Sequence, residues 1–152
     1  MRLLGIDYGA VRIGLAVSDV TGTLARPLRT VVVRGSPETQ ASELGIEVAH
    51  IKTEFEDLGA LVVGLPASLE GSPDASTESV LAFVEALRVS TALPIALQDE
   101  RLSSVEAEQR LALREPNWRK RKSRLDAASA AVILQDYLDR TTNNKAGGTV
   151  DV

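Results

Sequence analysis

The sequence predicts a single α/β domain in which helices cover both faces of a mixed five-stranded sheet. Three strand-like segments come first and predict an antiparallel meander. The chain then alternates between helical and strand-like segments, which is typical of parallel strands joined by helical crossovers. The predicted order is β-β-β-α-β-α-β-α-α, and 152 residues are enough for one such domain.

The first two strands are expected to form a hairpin. Residues 3–7 and 12–18 are largely apolar and are separated by a short turn that contains Gly9. Residues 28–34 predict the third strand, because three consecutive valines favour an extended backbone. The first strand ends on Asp7, whose carboxylate is costly to bury without a partner. It is therefore either a metal ligand near phosphate or a cap for its own turn.

Ser36 and Pro37 predict the beginning of the first helix, because serine is a good N-cap and proline suits the first helical position. The helix is expected to end before Gly59. Residues 60–65 then form a short apolar run, as in a strand buried on both faces. Apolar residues at helical steps of three and four give the helix one apolar face: Ala41, Leu44, Val48, Ile51, Phe55 and Leu58.

The second half of the chain begins with a loop rich in Gly, Ser and Pro, over residues 66–76. A helix over 77–89 and a fifth strand over 94–98 follow. Two capping boxes predict the beginnings of two more helices: Ser103 with Glu106, and Ser123 with Asp126.

The last residues of the chain lack hydrophobic periodicity from position 140 onward. We therefore expect the folded domain to comprise residues 1–139 and residues 140–152 to form a flexible C-terminal tail.

Composition excludes several classes of site. There is no cysteine, which rules out disulfides, thiolate metal sites and a cysteine nucleophile. The single histidine, His50, rules out a multi-histidine zinc site and is expected at the surface of the first helix. No apolar stretch approaches membrane-spanning length, and the N-terminus lacks a signal-peptide pattern. We therefore expect a cytoplasmic protein.

The net charge of −4 is unevenly distributed. Residues 110–124 hold seven basic side chains and one acidic one, a local charge of +6 that leaves −10 for the remainder. Such a patch on an acidic body can bind phosphates locally, or it can be a solvated charge run.

Acidic residues are expected to meet at one edge of the sheet. Asp7 ends the first strand, Asp99 and Glu100 end the fifth, and Asp126 is predicted at the beginning of the last helix. The carboxyl ends of parallel strands lie at the same edge, where α/β proteins bind ligands. Carboxylates that share a site raise each other's pKa unless a cation is present. Oxygen ligands favour Mg²⁺ or Mn²⁺, and two such ions suit phosphodiester hydrolysis.

Each of these carboxylates also has a purely structural interpretation. Asp126 could complete its capping box, Glu100 could pair with Arg101 or Arg12, and Asp99 could cap a turn. Their combination at predicted edge positions, beside a basic segment, favours a metal site.

Four sequence blocks resemble the YqgF family and follow one another in the expected order over residues 3–138. The blocks are GIDYG at 5–9 continuing to Arg12, Gly14 and Ser18-Asp19; VVGLP at 62–66 with Gly71; DERLS at 99–103; and DAASA at 126–130 continuing to ILQ at 133–135. The family has an RNase H-like fold and is described as Holliday-junction resolvases and pre-16S rRNA nucleases. The resemblance implies an RNase H-like nuclease.

The resemblance also implies roles for individual residues. Asp7, Glu100 and Asp126 correspond to the family's acidic residues, which implies that they are catalytic and bind Mg²⁺ or Mn²⁺, with two ions expected. Arg12 corresponds to the arginine of the first hairpin and could bind a phosphate with both arms of its guanidinium; Arg101 is expected at the nucleic acid as well. Residues 67–70 read ASLE, where the family more often has asparagine and aspartate.

The basic segment beside this site suits a nucleic-acid groove. Its cationic side chains would follow the phosphate backbone, and Trp118 could stack on a base or simply cover a helix end. The cationic residues are Arg119, Lys120, Arg121 and Lys122.

The expected function is metal-dependent hydrolysis of phosphodiester bonds, most simply in processing precursor 16S rRNA ends during ribosome biogenesis. One alternative is a Holliday-junction resolvase that acts on four-way DNA as a dimer. A second is a non-catalytic RNA-binding assembly factor. The partner is thus structured or single-stranded RNA, or branched DNA, and the protein is a monomer or a homodimer. Actin-like and sugar-kinase ATPases begin with a similar strand, aspartate and glycine hairpin. They need two such lobes to hold a nucleotide, however, and 152 residues supply only one.

Overall fold

The computed structural model describes residues 1–65, 75–99 and 118–151, with side chains in the last helix described for residues 126–142. The elements follow the predicted order over these ranges. They are β1 (Arg2–Asp7), β2 (Arg12–Ser18), β3 (Ala25–Val32), α1 (Pro37–Glu54), β4 (Leu58–Leu65), α2 (Ala75–Ser90), β5 (Ile95–Asp99) and α3 (Trp118–Asp151). The helix expected from Ser103 lies outside the described residues.

The five strands form one mixed sheet with the order β3-β2-β1-β4-β5. Strand β1 pairs with β2 in antiparallel orientation, and β2 pairs with β3 in the same way. The pairs β1–β4 and β4–β5 are parallel. The mixed five-stranded α/β fold is therefore confirmed, with β1 at its centre.

Helices cover both faces of this sheet, each over its own apolar core. Leu4 and Ile6 of β1 point toward α1 and α2 and pack in the larger core with Leu44 and Phe83. Leu3, one position out of phase, packs on the opposite face with Leu134 of α3. This alternation follows from the period of two in a strand.

Helix α1 begins as the sequence predicts. The side chain of Ser36 accepts a hydrogen bond from the amide of Thr39, and Pro37 occupies the first helical position. The helix ends at Glu54 rather than just before Gly59. The apolar period continues past the end because Phe55 and Leu58 are also turned toward the larger core, from the connection and from β4.

Strand β3 begins at Ala25, three residues before the predicted position, and ends at Val32. The early beginning places Pro27 in the strand. Proline has no backbone N–H, and it fits here because β3 is an edge strand whose outer side donates no hydrogen bond to another strand. The amide of Ala25 is bound by Gln135 of α3, at 2.9 Å from Oε1.

The predicted beginning of the last helix was wrong. Helix α3 begins at Trp118, so Ser123 and Asp126 lie inside it rather than at its N-terminus. The Ser-x-x-acid spacing of a capping box is only a local signal, and the same spacing also occurs within helices. The backbone is helical through Asp151, so the segment predicted as a tail continues α3; its flexibility stays a prediction. No helix in the described ranges is long and apolar enough to cross a membrane.

Two glycines allow α3 to lie unusually close to the sheet. A Cβ atom at Gly5 would be 2.8 Å from the carbonyl oxygen of Ala130, and one at Gly14 would be 1.8 Å from the carbonyl oxygen of Asp126. Both distances are far below van der Waals contact, and both neighbours are backbone atoms that cannot swing away. Glycine at these positions therefore determines how near the helix backbone approaches β1 and β2.

We predict that Gly14→Ala destabilises the protein by about 2–3 kcal/mol, because the added methyl group forces α3 away from β2. Chemical denaturation gives the free energy of unfolding that checks this value. Gly59→Ala is the matched control in β4, since its added Cβ would meet only the side chain of Met1, which is 68% exposed and can move aside. Equal stability of the two variants would contradict the packing argument.

Candidate active site

Asp7 and Asp126 both have Gly14 of β2 as a neighbour, at the carboxyl end of β1. Asp7 is the last residue of β1 and pairs with Gly14 of β2, and Gly14 lies against the backbone of Asp126. Asp7 shares the α3 face of the sheet with Gly5, two residues earlier. The beginning and the end of the domain thus approach each other at Gly14, and a shared site for the two carboxylates stays a prediction.

Arg12, at the beginning of β2, binds the carboxylate of Asp126. Its Nε donates a hydrogen bond to Oδ2 of Asp126 at 3.0 Å, and the two side chains are 33% and 26% exposed. Partial burial makes this contact firmer than a surface ion pair, and it fixes the direction of the Asp126 carboxylate. The contact uses Nε only, and Arg12 has no other hydrogen bond to the described residues.

Strand β5 ends at the same edge as β1. The two strands flank β4 in parallel orientation, and Leu65 of β4 pairs with Asp99, the last residue of β5. Asp99 is exposed and lies two residues after Leu97, on the same face of the strand. Leu97 packs on the α1–α2 side, so Asp99 lies on the opposite face from Asp7. Glu100 and Arg101 lie outside the described residues. Within the described ranges, no three Asp, Glu or His residues form a metal-binding group.

Gln98 is a buried polar residue that the sequence analysis did not single out. It is 7% exposed and pairs with Gly64 of β4. Its Nε2 donates to the carbonyl of Asp99 at 3.0 Å, whereas its buried Oε1 has no hydrogen-bond partner in the described part of the chain. A glutamine in a buried strand, directly before two acidic residues, was the signal that could have revealed it.

The turn between β1 and β2 is fixed by Gln40 of α1, which is 1% exposed. Its Nε2 donates to the carbonyl oxygens of Gly9 at 3.2 Å, Ala10 at 3.0 Å and Val33 at 3.0 Å. Its Oε1 accepts a hydrogen bond from the hydroxyl of Tyr8. The sequence pattern did not mark Gln40 as a site residue, although position 40 precedes Leu44 by one helical turn and so belongs to the inward face of α1.

Tyr8 anchors the same turn from the other side. Its ring stacks on Phe83 of α2 with centroids 4.4 Å apart. Burial raises the pKa of the Tyr8 hydroxyl, and the negative charge of Glu38 raises it further. The hydroxyl therefore stays protonated at neutral pH and remains the donor to Gln40.

The predicted nucleic-acid segment forms the first turns of α3. The backbone is helical from Trp118 through Lys122 and on to Asp126. The side chains of Trp118, Arg119, Lys120, Arg121 and Lys122 lie outside those that the structure describes, so their contacts with nucleic acid stay predictions.

The sheet order and the helices on both faces define an RNase H-like fold. RuvC from T. thermophilus, solved in complex with a Holliday junction substrate, has a similar fold: the TM-score is 0.54 at 18% identity, over 93% of this chain and 96% of that one. The family model described as "RuvX: Holliday junction resolvase" matches residues 1–140. The chain belongs to this RuvX (YqgF) family, which confirms the resemblance.

Relatives named "Putative pre-16S rRNA nuclease" match along most of their length. The Anaeromyxobacter dehalogenans protein is 44% identical over 140 residues, which are 92% of this chain and 98% of that relative. The Leifsonia xyli protein is 41% identical over 152 residues, with 97% of this chain and 93% of the relative covered.

We predict that Gln40→Met lowers the free energy of unfolding by about 2–4 kcal/mol, because it leaves buried carbonyls and the Tyr8 hydroxyl without their partner. Glu43→Met is the control, since Glu43 is exposed on the same helix and its replacement should change stability by no more than about 0.5 kcal/mol. Denaturant unfolding measures both. If Gln40→Met were as stable as wild type, Gln40 would not hold the turn.

Proposed function

We propose that this nuclease is metal-dependent and hydrolyses phosphodiester bonds at the ends of precursor 16S rRNA, in the cytoplasm. The close approach of α3 to Gly14 supports the proposal, because the backbone of Asp126 lies against the residue that pairs with Asp7 in the sheet. The names of the relatives support rRNA as the substrate.

The donors at this edge suit Mg²⁺ or Mn²⁺. Asp7 and Asp126 offer carboxylate oxygens, and Glu100 follows β5 directly in the chain. The buried Oε1 of Gln98 adds an oxygen that has no partner among the described residues. Hard divalent cations prefer such all-oxygen surroundings. Asp7, Asp126 and Glu100 would hold one or two such ions, and the chemistry supplied would be activation of a water molecule and stabilisation of the charge on the leaving oxygen.

Arg12 has two tasks in this proposal. Its Nε holds the carboxylate of Asp126 in place. Its two terminal nitrogens are then the donors for a phosphate oxygen of the substrate, a geometry for which the planar guanidinium is well suited.

The basic segment is on the same helix as Asp126 and close to it. Trp118 precedes Asp126 by eight residues, which corresponds to about 12 Å along a helix axis. Positions 119 and 122 precede Asp126 by seven and four residues, the spacing of one side of a helix. A nucleic-acid strand that follows the first turns of α3 would thus be led toward the carboxylates.

A second candidate function is the cleavage of four-way DNA junctions by a homodimer. The description of the family and the similarity of fold to RuvC favour it. A symmetric junction needs two active sites, so this function requires a dimer. A protein that is strictly monomeric by sedimentation would fit the RNA substrate better.

We predict that the protein cleaves labelled precursor 16S rRNA ends in Mg²⁺ or Mn²⁺. Asp7→Asn should slow this cleavage at least about a hundredfold, because the protein binds the cation more weakly without the negative charge of Asp7. Asp57→Asn is the matched control: Asp57 pairs with Arg2 at the opposite end of β1, and that side chain is 42% exposed. The control should cleave at the wild-type rate.

The same assay with a four-way DNA junction separates the alternatives. Cleavage of the junction alone, again lost in Asp7→Asn, would replace rRNA by branched DNA as the substrate. RNA binding without any cleavage that depends on Asp7 would indicate the non-catalytic assembly factor and would contradict the proposal.

A further inference from the structure

Gln98 has an unusual environment for a glutamine. The side chain is 7% exposed, yet only half of its amide group is hydrogen-bonded. The hydrogen bond from Nε2 to the carbonyl oxygen of Asp99 assigns the nitrogen and the oxygen of the amide, since the flipped amide would place Oε1 against that carbonyl oxygen. Oε1 is therefore a buried acceptor without a donor in the described part of the chain. Such an atom costs stability, and a bound ion or water is its usual partner.

The sheet places this acceptor level with Asp7. Gln98 pairs with Gly64, and Gly64 follows Val63, whose partner in β1 is Ile6, the residue before Asp7. Asp7, Gly64 and Gln98 thus form one row across three strands.

All members of this row face α3. Gln98 is out of phase with Ile95 and Leu97, which pack in the core on the other side, just as Asp7 is out of phase with Ile6. Gly64 carries no side chain that could separate Asp7 from Gln98.

The spacing of the row fits one cation. Two strand intervals of about 4.8 Å put the main chains of Asp7 and Gln98 about 10 Å apart. An aspartate and a glutamine that reach toward each other can close this gap around a cation with oxygen ligands at about 2.0–2.6 Å.

We propose that Oε1 of Gln98 is a ligand of the divalent cation held by Asp7 and Asp126, and this inference rests on the proposed function. An amide oxygen adds a hard ligand without a further negative charge, so it does not increase the repulsion among the carboxylates. The same contact removes the unsatisfied acceptor from the interior.

The experiment measures Mn²⁺ binding to the intact chain by calorimetry, without nucleic acid, in wild type and in Gln98→Met. Methionine has a similar length and shape but lacks the amide oxygen. We expect the affinity for Mn²⁺ to fall about tenfold or more. Unfolding in the presence of a chelator should show that Gln98→Met is at least as stable as wild type, because the variant no longer buries an unpaired oxygen.

Two further variants give the comparison its controls. Gln40→Met makes the same glutamine-to-methionine change at a site where the amide group is fully hydrogen-bonded. With the chelator present, this variant should be less stable against unfolding than wild type. Gln98→Glu replaces the amide oxygen by a charged one; it should bind Mn²⁺ more tightly than wild type and be less stable without it.

The outcomes distinguish this inference from the function on which it rests. Unchanged Mn²⁺ affinity in both Gln98 variants, with binding lost in Asp7→Asn, would overturn the role of Gln98 and leave an ordered water as its partner. Absence of Mn²⁺ binding in wild type would overturn the metal site itself, and the role of Gln98 with it.

Discussion

The contact between the backbone of α3 and the β1–β2 hairpin is the constraint on which the candidate site depends. Any side chain at Gly14 would collide with the carbonyl of Asp126, and any side chain at Gly5 would collide with that of Ala130. The apolar residues that follow, Ile133 and Leu134, then fill the smaller core. The position of Asp126 thus results from packing along the whole helix, and its backbone approaches the strand pair β1–β2 because residue 14 has no side chain.

The opposite side of the hairpin is held by polar contacts instead. Gln40 binds three carbonyls around the turn and the hydroxyl of Tyr8, whose ring rests on Phe83. The hairpin that carries Asp7 therefore lies between helix α3 on one face of the sheet and a buried hydrogen-bond network on the other. Such double support is what a metal-binding carboxylate needs to keep its geometry before the cation arrives.

The sequence was sufficient for most of the fold because the signals that define it are local. The alternation in β1 and β2 and the Ser36-Pro37 cap each act over a few residues, and the structure confirms them. The same local reasoning failed at Asp126, where a capping pattern turned out to lie inside a helix. The approach of Asp126 to the strand pair β1–β2 was predictable because the strand order and the family resemblance both pointed to the carboxyl end of β1.

The remaining parts of the site depend on contacts between distant segments. Arg12 and Asp126 form an ion pair although they are 114 residues apart. The sequence pattern suggested Glu100 as a partner of Arg12 and did not indicate Asp126. Gln40 and Gln98 are each ordinary polar residues in the sequence. Only the register of the sheet and the packing of α1 show that Gln40 holds a turn and that Gln98 has a buried oxygen with no partner among the described residues.

The central claim is that Asp7 and Asp126 bind one and the same cation. A double-mutant cycle on Mn²⁺ affinity tests it most directly, with Asp7→Asn and Asp126→Asn made singly and together and binding measured by calorimetry. If one ion is shared, each single variant loses most of the affinity and the double variant loses little more, so the two effects are far from additive. Strictly additive losses, or wild-type affinity in either single variant, would contradict the shared site.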